Sequence, residues 1–149
     1  MRKIDTIILH CTATPVEMEV NADVVREWHT SPPRSWSDIG YHFVIDNEGR
    51  IEVGRPLDKV GAHAKGHNTG AVGIAYAGGV DSDGEPCNTM NRRQRAAIVA
   101  LVRSLRMVLG RSLSLIGHND VTDKKACPSF RVGDEFADLV QWLAAYDAR

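Results

Sequence analysis

Two imidazoles and one thiol in this chain have the types and positions that could hold a metal ion: His10, His118 and Cys127. His10 ends the β-branched and apolar run from Ile4, His118 follows the apolar run Leu113–Ile116 after Gly117, and Cys127 stands just before Pro128. Two imidazoles and a thiolate on a tetrahedral zinc leave one position open for water, the arrangement of a catalytic rather than a structural site. The spacing alone is not diagnostic, because the sequence has neither a Cys-x-x-Cys pair nor a His-Glu-x-x-His run. The same residues also read as a partly buried His10, a loop His118 and an inert thiol. A third reading is a thiol hydrolase with Cys127 as nucleophile and His118 as base.

To bring such groups together, strands must end at a common edge. Ile4–His10 suits a buried central strand that delivers polar side chains at its C-terminal end. Asn21 is placed to cap a helix running to about His29, with Val24, Val25 and Trp28 on one face and Ser31-Pro32-Pro33 as its stop. Tyr41–Ile45 and Ile51–Val53 flank Asp46-Asn47-Glu48-Gly49-Arg50 and read as a hairpin, and Val72–Ala77 reads as a further strand between glycines. Asn91 and Gln94 predict a capping box for the longest helix, whose apolar residues recur at the helical period from Ala97 to Leu109 and stop at Gly110. A short strand at Leu113–Ile116 and an amphipathic helix from Phe136 to Tyr146 complete the pattern. Interleaved strands and helices predict an α/β fold, a single domain over residues 1–149 built on a mixed β-sheet flanked by helices.

A length of 149 residues suits one core, and 43% apolar with 25% charged residues is ordinary globular composition. Eighteen basic against nineteen acidic side chains leave a net charge of -1. No global positive field is present to drive binding to nucleic acid or anionic lipid. No apolar stretch approaches the roughly 20 residues of a membrane helix, so no membrane insertion is expected. Asp5 interrupts the segment after Met1-Arg2-Lys3, so synthesis in the cytoplasm without a signal peptide is expected.

Three cysteines cannot all pair within one molecule, and in a cytoplasmic chain free thiol, metal ligand or nucleophile is the better expectation. Strand alternation turns Cys11 away from His10 as a buried thiol, and Cys87 falls in a polar loop. By the same alternation His42 points away from Tyr41 as a core histidine, while His29 reads as a helix C-terminal cap. Trp36 could stack on a sugar ring or a peptide, or simply be half-buried.

Several segments, in order, resemble one known family: Ile8-Leu9-His10-Cys11-Thr12-Ala13-Thr14, Gly40-Tyr41-His42-Phe43-Val44-Ile45, His63-Ala64-Lys65-Gly66-His67-Asn68, Gly73-Ile74, and Lys125-Ala126-Cys127-Pro128-Ser129-Phe130. Over roughly Lys3 to Trp142 the chain is similar to the phage lysozymes that are zinc N-acetylmuramoyl-L-alanine amidases, relatives of the peptidoglycan recognition proteins. The resemblance implies one zinc ion per chain on His10, His118 and Cys127, with Tyr41 and Lys125 as the catalytic pair. The loop from His118 to Cys127 is one residue longer than the family pattern, which sets Lys124 against Lys125. Lys125 stands two residues before the cysteine and is the expected residue.

The resemblance further implies that His63 and Asn68 border a groove for peptidoglycan or a muropeptide, with Trp36 as a further substrate contact. The implied role is hydrolysis of the amide between N-acetylmuramic acid and L-alanine by a phage or prophage endolysin. Such an enzyme is made in the host cytoplasm and acts on the wall from the periplasm after holin-type release, with an intracellular wall-recycling amidase as the nearest alternative. A binding protein without hydrolysis is the competing class, against which the intact set of five residues argues. A monomer is the simplest expectation, and binding to RNA polymerase rests on analogy with one relative alone.

Overall fold

The computed structural model describes residues 1–147, so Ala148 and Arg149 of the expected domain lie outside it. Five strands, β1 (Thr6–Cys11), β2 (Phe43–Ile45), β3 (Ile51–Val53), β4 (Ala71–Tyr76) and β5 (Ser114–Gly117), form one sheet in the order β3-β2-β4-β1-β5. Only β3 runs antiparallel, to β2; the other neighbours pair in parallel, so the sheet is mixed as expected. The helices are α1 (Ala22–Thr30), α2 (Arg92–Leu109), α3 (His118–Val121), α4 (Val132–Glu135) and α5 (Ala137–Asp147). The sequence does not predict α3 or α4, because a helix of four residues has no room for a period. Tyr41 and His42, expected on a strand, instead lead into β2.

Alternation along β1 divides the core. Ile7, Leu9 and Cys11 face α2 and α5, where Ile98, Leu101, Val102, Leu139 and Leu143 pack on them. The opposite face carries Ile8 against Ala64 and Ala71, and Val44 against Val25 of α1. His10 therefore leaves the sheet on the Ile8 face, while Cys11 is the buried thiol that alternation predicts.

On α1 the buried face differs from the expected one: Ala22, Val25 and His29 are buried and Trp28 is 37% exposed. The shift of the stripe by one residue has a polar cause. His29 Nδ1 accepts the Gly40 N–H at 2.9 Å, which satisfies a nitrogen that would otherwise be costly to bury. His29 is therefore no C-terminal cap but a buried acceptor.

The capping box of α2 forms as the sequence predicts, with Asn91 Oδ1 accepting from Gln94 N and Gln94 Oε1 accepting from Asn91 N, and Gly110 closes the helix at φ 60°. Gln94 is itself buried, and its Nε2 donates to Asp46 O at 3.1 Å and Ala77 O at 2.8 Å, tying the start of α2 to the chain leaving β2 and β4. Replacing Gln94 by Leu leaves Ala77 O without a donor, while Asp46 O keeps the Gly49 N–H at 3.0 Å, and an unsatisfied buried group costs about 1–3 kcal/mol. Urea unfolding of Gln94→Leu is expected to show a lower midpoint at unchanged slope, equivalent to a loss of about 1–3 kcal/mol.

Candidate functional site

The centre is assembled by register. In the parallel β1–β5 pair Leu9 lies opposite Gly117, so the residues that follow, His10 still in β1 and His118 at the start of α3, emerge beside each other at the C-terminal edge of the sheet. Their ring centroids are 4.6 Å apart. Cys127 reaches the same point on the loop after α3, and four contacts hold that loop. Asn119 N donates to Cys127 O at 2.8 Å, and Asn119 Nδ2 donates to Ala126 O and Phe130 O. Tyr76 Oη donates to Pro128 O at 2.7 Å. Tyr76 and Asn119 were not singled out from the sequence, since neither is a ligand type near the cluster in sequence.

One ligand atom from each of His10, His118 and Cys127 lies within 4.8 Å of the others. His10 Nδ1 stands 3.6 Å from Cys127 Sγ, close to the ~3.6 Å that N and S ligands subtend on a tetrahedral zinc with bonds of about 2.1 and 2.3 Å. Two neutral nitrogens and one thiol thus fit a zinc ion. His10 is held well below the usual imidazole range by burial and by the neighbouring His63 and His118, and His118 is lowered by burial and by Lys125. Both imidazoles are therefore neutral at pH 7, the state that ligates a metal. Hydrogen bonding with the Cys11 thiol and burial push the Cys127 thiol up, so a metal binding there displaces its proton. The backbone N–H of Cys11, 3.2 Å from Cys127 Sγ, is placed to donate to the thiolate that results.

Around the cluster, Tyr41 is half-buried with its ring 5.1 Å from that of His10. Burial raises its hydroxyl above the ordinary range, which keeps the O–H as a donor. Lys125 is exposed and lines a cleft of about 450 Å³ together with Trp36, His63, Asn68 and His118, whereas Lys124 does not line it. Trp36, 38% exposed, forms part of this wall and packs its ring on His29 at 4.8 Å. Asn68 spends its carbonyl oxygen on the loop, accepting from His63 N and Ala64 N at 2.9 Å each. His63 turns its ring inward to His10, with His63 Nδ1 2.9 Å from His10 Nε2. A smaller cavity next to Tyr41, lined by Trp28 and Arg34 among others, was also not apparent from the sequence.

A His-His-Cys cluster at the carboxyl edge of a largely parallel sheet, opening beside a tyrosine and a lysine on a solvent-filled cleft, defines an α/β protein with a candidate metal centre of hydrolytic type. Residues 1–130 match the family described as N-acetylmuramoyl-L-alanine amidase, and the chain belongs to it. The endolysin of Enterobacteria phage K11 is 37% identical over 135 residues, covering 91% of this chain and 82% of that protein. The N-acetylmuramoyl-L-alanine amidase LysC from Clostridium intestinale superimposes with a TM-score of 0.76 at 30% identity, over 96% of this chain and 87% of that one. A complex of the peptidoglycan recognition proteins LCa and LCx with tracheal cytotoxin contains a chain with a TM-score of 0.69 and 28% identity, over 86% and 77% of the two chains. Among the described residues no helix is long and apolar enough to cross a membrane.

The wall behind Tyr41 gives a pH-dependent stability. Burial, then the charges of Arg34 and Arg55, lower His29 to about 4 from the usual 6.5. A depressed folded-state value means that the unfolded chain binds the proton first. The contribution is complete above about pH 6.5 and is lost as the pH falls toward 4. His29→Asn keeps an acceptor for Gly40 N–H but cannot titrate. Its unfolding free energy, measured by denaturant titration from pH 7 to 4, is expected to fall less steeply than that of the wild type.

Proposed function

We propose that this chain is a zinc-dependent N-acetylmuramoyl-L-alanine amidase that cleaves the amide between N-acetylmuramic acid and the L-alanine of the stem peptide, acting as a phage or prophage endolysin. The observation that carries the reading is the convergence of His10, His118 and Cys127 beside Tyr41, with Lys125 on the wall of the same cleft. Similarity to the phage K11 endolysin supports the lytic role, and structural likeness to peptidoglycan recognition proteins supports peptidoglycan as the substrate.

His10, His118 and Cys127 would hold a zinc ion, which when bound would supply Lewis-acid polarisation and lower the pKa of water toward neutral pH. The chain's own residues then have distinct tasks. Tyr41 keeps its phenolic proton and donates to the oxyanion that forms when the amide carbonyl is attacked. Lys125 brings an ammonium to the same side of the cleft as His118, where negative charge develops. Trp36 offers an apolar face to the sugar or stem peptide, and Asn68 keeps the loop bearing His63 in place. The protein works as a monomer on a wall reached by holin-type release. A polymerase partner rests on analogy alone.

The reading is tested by mass spectrometry of digested peptidoglycan. Free stem peptides beginning at L-alanine are expected, and cut glycan with intact muropeptides would sink it. Chelation is expected to abolish turnover and added zinc to restore it, whereas a thiol hydrolase would survive chelation and die on alkylation. Tyr41→Phe and Lys125→Ala are each expected to keep zinc and lose about 10²- to 10³-fold in turnover, the cost of one oxyanion donor. Cys127→Ala is expected to lose both metal and activity, and Lys124→Ala neither, with bound metal measured beside turnover in every variant.

A further inference from the structure

The half-buried ring of His63 sits at an unusual junction. Its Nδ1 lies 2.9 Å from His10 Nε2, the rings meet edge to face at 87°, and this is the ring's only hydrogen bond among the described residues. Its other nitrogen, Nε2, is buried and meets no partner. With Nδ1 taken by His10 and Nε2 buried, neither nitrogen of this ring is presented to a ligand in the cleft. Its place is made by an absent side chain: the three atoms nearest to a Cβ at Gly73 of β4 would all be His63 ring atoms, at 2.6–2.8 Å. Gly73 does not have a positive φ, so an alanine there is excluded by His63 and not by its own backbone.

The orientation of His10 follows from its two contacts. Nδ1 faces Cys127 Sγ at 3.6 Å, on the side of the candidate metal centre, and Nε2 faces His63. A nitrogen that ligates a metal presents a lone pair, so the ring proton must sit on Nε2, and the acceptor for it is His63 Nδ1.

We propose that His63 is a positioning residue for the metal ligand His10. By accepting the Nε2–H it holds the lone pair of His10 at Nδ1, toward Cys127 and His118, and fixes the ring's rotation. This rests on the metal-centre reading above and assigns to His63 a role different from substrate contact. Loss of an outer partner of this kind typically costs about 10- to 100-fold in metal affinity.

The test is zinc affinity by competition with a chromophoric chelator, with far-UV circular dichroism to check the fold of each metal-free variant. His63→Ala is expected to bind zinc about 10- to 100-fold more weakly than the wild type. His63→Asn, whose Oδ1 occupies the place of Nδ1, is expected to stay close to the wild type. Gly73→Ala is expected to weaken zinc binding in the wild-type background and to add nothing once His63 is alanine, because the clash has then gone. In the zinc-loaded wild type, imidazole ¹⁵N NMR is expected to place the His10 proton on Nε2, a readout that needs no variant to fold. Equal zinc affinity of His63→Ala and wild type, with only KM raised, would falsify the proposal, as would metal bound through His10 Nε2. A wild-type chain that takes up no zinc would instead remove the metal reading beneath it.

Discussion

The parallel pairing of β1 with β5 is the constraint on which the site depends. It sets Leu9 against Gly117, and one step further the chain delivers His10 and His118 to the same edge. Because side chains alternate with a period of two, a slip of one residue would turn His10 into the core under α2 and bring Cys11 to the cleft. The apolar residues of β1 guard against this slip: Ile7 and Leu9 are packed against α2 and α5, and Ile8 is covered on the other side by Ala64 and Ala71. Hydrophobic burial on both faces of one strand thus sets the geometry of a polar site at its end.

Behind that site lies a layer of neutral histidines. His42 accepts the Gly73 N–H at Nδ1 and is left to donate from Nε2 to Lys59 O, and burial lowers its pKa. His29 accepts from Gly40 in the same way. Each of these rings is buried in its uncharged form and tied to backbone, which avoids the cost of burying an imidazolium. The edge that carries the candidate metal centre is consequently backed by groups whose protonation states are already set at neutral pH. The lysines that line the cleft, Lys65 and Lys125, are both exposed at its rim.

Much of this architecture is legible in the sequence because its signals are local. The Asn91–Gln94 capping box, the stop at Gly110, the hairpin around Asp46-Asn47-Glu48-Gly49-Arg50 and the alternation of Ile7, Leu9 and Cys11 each act within a few residues. The ligand types His10, His118 and Cys127 are visible for the same reason, as polar residues at the ends of apolar runs. Where local reasoning goes astray, a distant partner has intervened. Trp28 continues the apolar stripe of α1, yet His29 is the buried residue, because Gly40 eleven residues away supplies its hydrogen bond. Asn68, expected from the sequence as a contact residue, lines the cleft and also braces its own loop through its carbonyl oxygen.

By itself the sequence determined the element types, the mixed α/β class and the residues able to ligate a metal, since propensity, capping and hydrophobic period are short-range properties. The tertiary structure alone decided which of those residues meet and in what state. The β1–β5 register joins positions 10 and 118, Asn119 and Tyr76 carry Cys127 to them, and His63 meets His10 across fifty-three positions through a gap left by Gly73. Such pairings depend on which strands become neighbours and on where a missing Cβ leaves room, and no local pattern of residues encodes either.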